Sequence, residues 1–225
     1  MIFSGPEFFI WKLTKNAFTI LPESRYESAY WDKNVLSSLN IQVDKFPEFV
    51  ELGHNCGLLE KTVAETLGLP VVPVFGIGPD FIAGLIGTDT IQNGKLCDRC
   101  GSSEGINFCT SKAIFHQEVR TLPCVTPELW NVSVLIPDSS SLEENIRLEK
   151  VVSAVKLLKK LAKENNLVFP DKMSVTGGQV KDKKYFYKKK MALKKENIDL
   201  YEEVCPDAEL LGDAKIGWKK LLTGN

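Results

Sequence analysis

Three short segments of this sequence gather glycines with hydroxyls or a carboxylate: Gly76-Ile77-Gly78-Pro79-Asp80, Gly101-Ser102-Ser103 and Thr176-Gly177-Gly178-Gln179. Glycine lets a backbone turn tightly and approach a ligand closely. Backbone N–H groups in such a turn, with serine hydroxyls beside them, can cradle phosphate oxygens. Asp80 follows the first turn and opens an apolar run, which places it at a helix N-terminus beyond the carboxyl end of a strand. Open α/β sheets bind ligands at that edge, and a carboxylate there can accept the proton of a hydroxyl nucleophile. Each segment also has a plainer reading. Asp80 suits a helix N-cap, Gly-Ser-Ser suits a hairpin turn, and residues 176–179 suit an ordinary loop.

Other chemistries find little support. There are two histidines, His54 and His116, and no His-Glu-x-x-His helix. The sequence has no Gly-x-x-x-x-Gly-Lys-Ser/Thr loop and no Gly-x-Gly-x-x-Gly fingerprint, so any nucleotide site must use another architecture. Cys97 and Cys100 form a C-x-x-C, but no second such pair exists and the spacing to Cys109 and Cys124 is irregular, so these thiols read as inert and no metal site is expected. A formal net charge of −1 gives no general case for nucleic acid or for an anionic membrane. Residues 181–195 hold eight lysines around Tyr185, Phe186 and Tyr187. They read as a solvated helix face with the aromatics packed inward, so no nucleic-acid partner is expected. No apolar run approaches membrane length. The start carries no signal peptide, and six cysteines without one suggest reduced thiols and a cytoplasmic location. The Asn131-Val132-Ser133 sequon would then be idle.

The elements that must position the three segments follow from periodicity and punctuation. Helices are expected over residues 6–13, 34–39, 62–67, 80–87 and 209–222, and strands over 17–21, 71–75, 106–108, 130–136 and 172–175, with a further strand leading into Gly101. The clearest helix follows Ser139-Ser140-Ser141. Leu148, Val151, Val152, Val155, Leu158 and Leu161 form its apolar stripe, Lys156, Lys159, Lys160 and Lys163 its solvated side, and Ser140/Glu143 or Ser141/Glu144 a capping box. Residues 71–75 read as a buried strand. Alternating strands and helices make the class α/β. Met1 opens almost directly onto Phe8-Phe9-Ile10-Trp11 with no leading strand or cap, as if the chain were entered part-way through a domain.

The run from Gly78 through Asp80 to Gly87, then Cys97-Asp98-Arg99-Cys100-Gly101-Ser102-Ser103-Glu104-Gly105, then Val175-Thr176-Gly177-Gly178-Gln179, resembles in order and spacing the FGGY family of carbohydrate kinases, to which xylulokinase and glycerol kinase belong. Gly5-Pro6-Glu7-Phe8, Tyr30-Trp31-Asp32 and the tail from Asp207 to Ala214 extend the resemblance over most of the chain. It implies an actin-like ATPase, ribonuclease H-like fold with remnants of two domains: residues 1–88 as the later part of the sugar-binding domain, and 89–225 as a shortened nucleotide-binding domain. It implies ATP and Mg2+ as cofactors and a sugar or polyol as substrate. On that resemblance Asp80 is the base that takes the proton of the sugar hydroxyl, with Phe81 beside it at the substrate. Gly101, Ser102 and Ser103 form the phosphate turn, and Gly177, Gly178 and Gln179 the turn at the adenine nucleotide.

The sequence departs from the family in lacking the opening strand with its Asp-x-Gly-Thr turn. The segment between Ile136 and Val175 is short, and lysine-rich sequence follows Gln179. Three outcomes follow as expectations: a kinase homologue that is weak or inactive alone, a half-enzyme completed by a partner chain, or a non-catalytic nucleotide- or sugar-binding module. Exposed core from a shortened first domain would favour self-association or a complementing chain.

Overall fold

The computed structural model describes residues 1–201 and 205–223. The chain divides into two compact units, Met1–Ile82 with Asp213–Asn225, and Ala83–Gly212.

In the first unit, α1 (Gly5–Thr14) starts at Ser4, with Pro6 in its first turn. The buried Glu7 carboxylate accepts from the Ser4 backbone N–H at 2.5 Å and from the Thr19 hydroxyl at 2.7 Å. Contrary to the expectation of an uncapped start, a cap is present: Glu7 ties the helix start to β1 (Phe18–Leu21). That strand pairs in parallel with β2 (Glu48–Glu51), from Phe18 opposite Glu48 to Leu21 opposite Glu51. Two short helices, α2 (Glu27–Tyr30) and α3 (Lys33–Ser38), intervene. A second pair, β3 (His54–Leu58) and β4 (Pro73–Gly76), is antiparallel and flanks α4 (Lys61–Leu67), which Gly68 closes at φ +66°. Residues 71–75 do not form the expected buried strand. Val71 and Val72 are exposed, because the strand starts at Pro73 and belongs to a two-stranded sheet. Ile10, Ile20 and Cys56 form the small core.

The second unit is built on a six-stranded sheet. Its strands are β5 (Leu96–Cys100), β6 (Glu104–Thr110), β7 (Arg120–Pro123), β8 (Trp130–Ile136), β9 (Lys172–Thr176) and β10 (Asp199–Leu200), in the order β10-β9-β5-β6-β8-β7. β9 runs parallel to both β5 and β10, and the remaining pairs are antiparallel. Helix α6 (Glu144–Glu164) lays Val151, Ala154, Val155, Leu158, Leu161 and Ala162 on the sheet, against Leu96, Ile106, Phe108, Val132 and Met173. Its lysines at 156, 159, 160 and 163 are exposed, as the stripe requires. Glu143 is the N-cap residue of α6 and no side chain caps it, so the expected serine capping box is absent. Residues 139–141 form a short 3-10 turn instead.

Helix α7 (Lys183–Lys194) follows, capped by Asp182, whose carboxylate accepts from the Lys184 and Tyr185 backbone N–H groups. The unit boundary falls within α5 (Asp80–Gly87) and α8 (Ala208–Thr223). Inside the second unit these two helices touch backbone to backbone. A Cβ on Gly87 would lie 1.8 Å from the Ala208 carbonyl oxygen, and one on Gly212 1.9 Å from that of Ala83. Among the described residues no helix is long and apolar enough to cross a membrane.

Candidate nucleotide site

The parallel pairing of β5 with β9 decides where two of the three glycine segments go. Arg99 lies opposite Thr176, so both strands end at the same edge of the sheet. The 101–103 turn leaves β5 there and the 177–179 turn leaves β9 beside it. This is the carboxyl edge of a parallel pair, where α/β sheets bind ligands. The turns are in contact: the Gln179 side-chain amide donates to the Gly101 carbonyl oxygen at 2.6 Å. Gly177 sits at φ +102°, and a Cβ there would lie 2.5 Å from the Cys100 carbonyl oxygen, so only glycine allows this approach. Its N–H donates to the Pro206 carbonyl, which draws the start of α8 to the same edge.

The 101–103 turn is held from its other side. The Ser140 backbone N–H donates to the Ser102 carbonyl at 3.0 Å, and the Asp138 N–H to the Ser103 hydroxyl at 3.3 Å. Gly101, Ser102 and Ser103 are themselves exposed. The Gly101 N–H is used within the turn, donating to the Ser103 carbonyl at 3.0 Å, which leaves the Ser102 and Ser103 N–H groups and hydroxyls as the donors for a ligand. The Arg147 guanidinium donates to Gln179 Oε1 at 3.1 Å and lies 4.0 Å over the Tyr185 ring. Asp80 and Phe81 belong to the first unit. There Asp80 begins α5, exposed, after a loop in which Gly78 takes φ +87°.

Beneath the 101–103 turn lies a buried ionic cluster that sequence reasoning missed. Lys189 on α7 donates to Asp98 Oδ2 on β5 at 2.7 Å and to Glu104 Oε1 on β6 at 2.5 Å. All three side chains are 0–1% exposed, which rules out ordinary solvated pairing. The Ser139 hydroxyl donates to the second Glu104 oxygen at 2.7 Å. The lysine run therefore does not form a uniformly solvated face. Nor do its aromatics all turn inward, since Tyr185 is buried and Tyr187 is exposed. The signal was present in the spacing: Tyr185, Lys189 and Leu193 recur every four residues, which puts Lys189 on the face carrying two buried apolar neighbours.

Burial pushes the Asp98 carboxyl up to about 8, opposed by Lys189 and reinforced by the Glu104 charge. Its Oδ1 has no partner among the described residues. A carboxyl whose folded-state pKa lies above its ordinary value binds more protons folded than unfolded. Its contribution to stability is full below about pH 4 and is lost as the pH rises toward 8. Asp98→Asn mimics the protonated form and should remove that loss. Melting temperatures compared at pH 5 and pH 9 should fall less in the variant than in the parent, and an equal fall would refute the assignment.

The cysteines stay buried, apart from the half-buried Cys205. Desolvation holds Cys56 up at about 11 and Cys97 at about 12, so neither forms a thiolate at neutral pH. Among the described residues no group of three or more His, Cys, Asp or Glu side chains could hold a metal ion.

The fold is mixed α/β and similar to that of solved sugar and polyol kinases, the actin-like ATPase fold. It superposes on a ligand-bound xylulose kinase from Lactobacillus acidophilus with a TM-score of 0.73 at 12% identity, covering 98% of this chain and 59% of that one. A xyloylose kinase from Brucella ovis gives 0.70 at 16%, covering 97% and 59%. Plasmodium falciparum glycerol kinase with ADP gives 0.71 at 13%, covering 96% and 57%. The chain thus spans under two thirds of the length of each. No family model matches the sequence, and no curated protein matches it.

Proposed function

We propose that the second unit binds Mg-ATP at the 101–103 and 177–179 turns, and that the chemistry is transfer of a phosphoryl group to a hydroxyl of a sugar or polyol. The observation that carries this reading is the junction of two glycine turns at the ends of β5 and β9, closed by Gln179 on Gly101. Phosphoryl transfer asks a protein mainly for positioning and for neutralisation of charge on the phosphate oxygens. The backbone N–H groups and hydroxyls of Ser102 and Ser103, in an exposed turn, suit phosphate oxygens. Asp98 and Glu104, the carboxylates on the two stems of the turn, are turned inward onto Lys189. The donor set therefore fits Mg2+ carried by the nucleotide phosphates rather than caged by protein, and Mg2+ would supply charge neutralisation there. Asp80 would orient the acceptor hydroxyl and take its proton, with Phe81 beside it. Residues 1–88 would serve the sugar side and 89–225 the nucleotide side, in a cytoplasmic setting that suits six free thiols.

The first unit favours a second element of this reading, that another chain completes it. β1 and β2 form a parallel sheet of two strands only, whereas parallel strands ordinarily lie inside larger sheets covered on both faces. Against β1 lies a cavity of about 520 Å3 lined by Phe9, Ile10, Leu13, Phe18, Ile20 and Phe75 among others. The purified chain is expected to bind Mg-ATP but to phosphorylate D-xylulose or glycerol only weakly, and Asp80→Asn should lower that turnover by roughly a hundred- to ten-thousand-fold, the usual worth of a general base. Coupled-assay turnover that survives Asp80→Asn would remove Asp80 from the mechanism. Mg-ATP binding with no turnover on any sugar would make the chain a binding module.

A further inference from the structure

We propose that Lys189 is a positioning residue for the nucleotide phosphates, fixing the 101–103 turn and setting it against the 177–179 turn. The proposal rests on the nucleotide reading above and adds to it a residue that never meets the ligand.

A Gly-Ser-Ser hairpin turn is conformationally permissive, while phosphoryl transfer depends on placement within a fraction of an ångström. Something must fix the turn. Its two stems carry Asp98, on the strand entering it, and Glu104, the first residue of the strand leaving it. One ammonium group binds both, at 2.7 and 2.5 Å. Lysine has three donors and no acceptor, so a single Lys189 can hold the two stems at one separation. The restraint then passes outward. Glu104 accepts from the Ser139 hydroxyl at 2.7 Å, and the Gln179 amide nitrogen lies 3.5 Å from that hydroxyl and 2.6 Å from the Gly101 oxygen. Arg147 fixes the other end of the Gln179 amide and stacks on Tyr185, one helical turn before Lys189 on α7. Helix α7 itself starts just after the 177–179 turn, at the Asp182 cap. Lys189 thus lies at the centre of a closed path through both turns. At 1% exposure it cannot touch a ligand, so its role is to position other groups.

Stability alone gives no reason for this arrangement, because buried ion clusters replaced by apolar groups of similar volume are often as stable or more so. A role in placing the turn does give one.

The test uses the whole chain and reads Mg-ATP and adenosine affinity by calorimetry, with melting temperature measured in parallel. Two variants are needed. Lys189→Met/Asp98→Asn/Glu104→Gln removes the charges together and so leaves no uncompensated carboxylate. Ser139→Ala keeps the cluster and cuts only its outward link. In both, Mg-ATP affinity should fall at least tenfold and three-fold respectively, while adenosine affinity stays within two-fold, since only the phosphate turn is misplaced. Mg-ATP affinity within two-fold of the parent in Ser139→Ala, or in a folded triple variant, overturns the proposal. So does an equal loss for adenosine and Mg-ATP, which would mark a merely structural role. If the triple variant does not fold, Ser139→Ala decides. A parent chain that binds no Mg-ATP refutes the nucleotide reading itself, and the proposal with it.

Discussion

Lys189→Met alone should cost the second unit about 3–5 kcal/mol, because it strands two carboxyls in a site from which water is excluded. That is a large share of the roughly 5–15 kcal/mol that holds a domain together. The loss should depend on pH. Without the ammonium group, Asp98 can stay buried beside Glu104 only by remaining protonated, which raises its folded-state pKa further above the ordinary range. Such groups contribute stability below their unfolded pKa, near 4, and lose it as the pH rises. Chemical denaturation should therefore find the variant close to the parent near pH 4.5 and far below it at pH 8. A loss under about 1 kcal/mol at both pH values would mean that the cluster is not desolvated as described.

Gly212→Ala, the second large effect, should be felt through backbone rather than side chains. The added methyl carbon would sit 1.9 Å from the Ala83 carbonyl oxygen, and the reciprocal contact, Gly87 on Ala208, is as tight at 1.8 Å. No flexible side chain can yield at either point, so α5 and α8 must part. Overpacking of this kind costs about 1–3 kcal/mol and sometimes more. Alanine elsewhere in a helix would instead gain up to about 1 kcal/mol over glycine. Gly217 on the same helix has open space around its α-carbon and supplies the control. Thermal unfolding should show Gly212→Ala melting well below the parent and Gly217→Ala at or above it. Equal melting temperatures would show that the helices are not in backbone contact.

What the sequence made legible, and what it hid, follow from the range of the forces involved. The amphipathic stripe of α6, the glycine stop of α4 and the strand over 130–136 are local patterns, and each stands where periodicity places it. Fold class was legible for the same reason. Short strands were harder to find. β2, β7 and β10 have four residues or fewer and acquire their meaning only from a partner strand. The capping boxes show the same limit from both sides. Ser140 and Ser141 match the pattern before α6 yet lie in the 3-10 turn of residues 139–141, while the box that does form is at Ser4 and Glu7. Of the site, the glycine turns could be named from sequence, but their meeting could not, because it depends on the parallel register of β5 with β9. Lys189 was the hardest case. A lysine among lysines gives no compositional signal, and its partners lie 85 and 91 residues away.

The central claim is that the 101–103 and 177–179 turns form one nucleotide site. Calorimetric titration of Mg-ATP into the parent chain and into Gly177→Ala tests it most directly. The substitution forces a Cβ to within 2.5 Å of the Cys100 carbonyl and strains a backbone at φ +102°, displacing one turn from the other while leaving the remaining residues unchanged. The account predicts saturable one-to-one binding to the parent and affinity at least tenfold weaker, about 1.4 kcal/mol, in the variant. No saturable binding to the parent, or equal affinity in a folded variant, would contradict it.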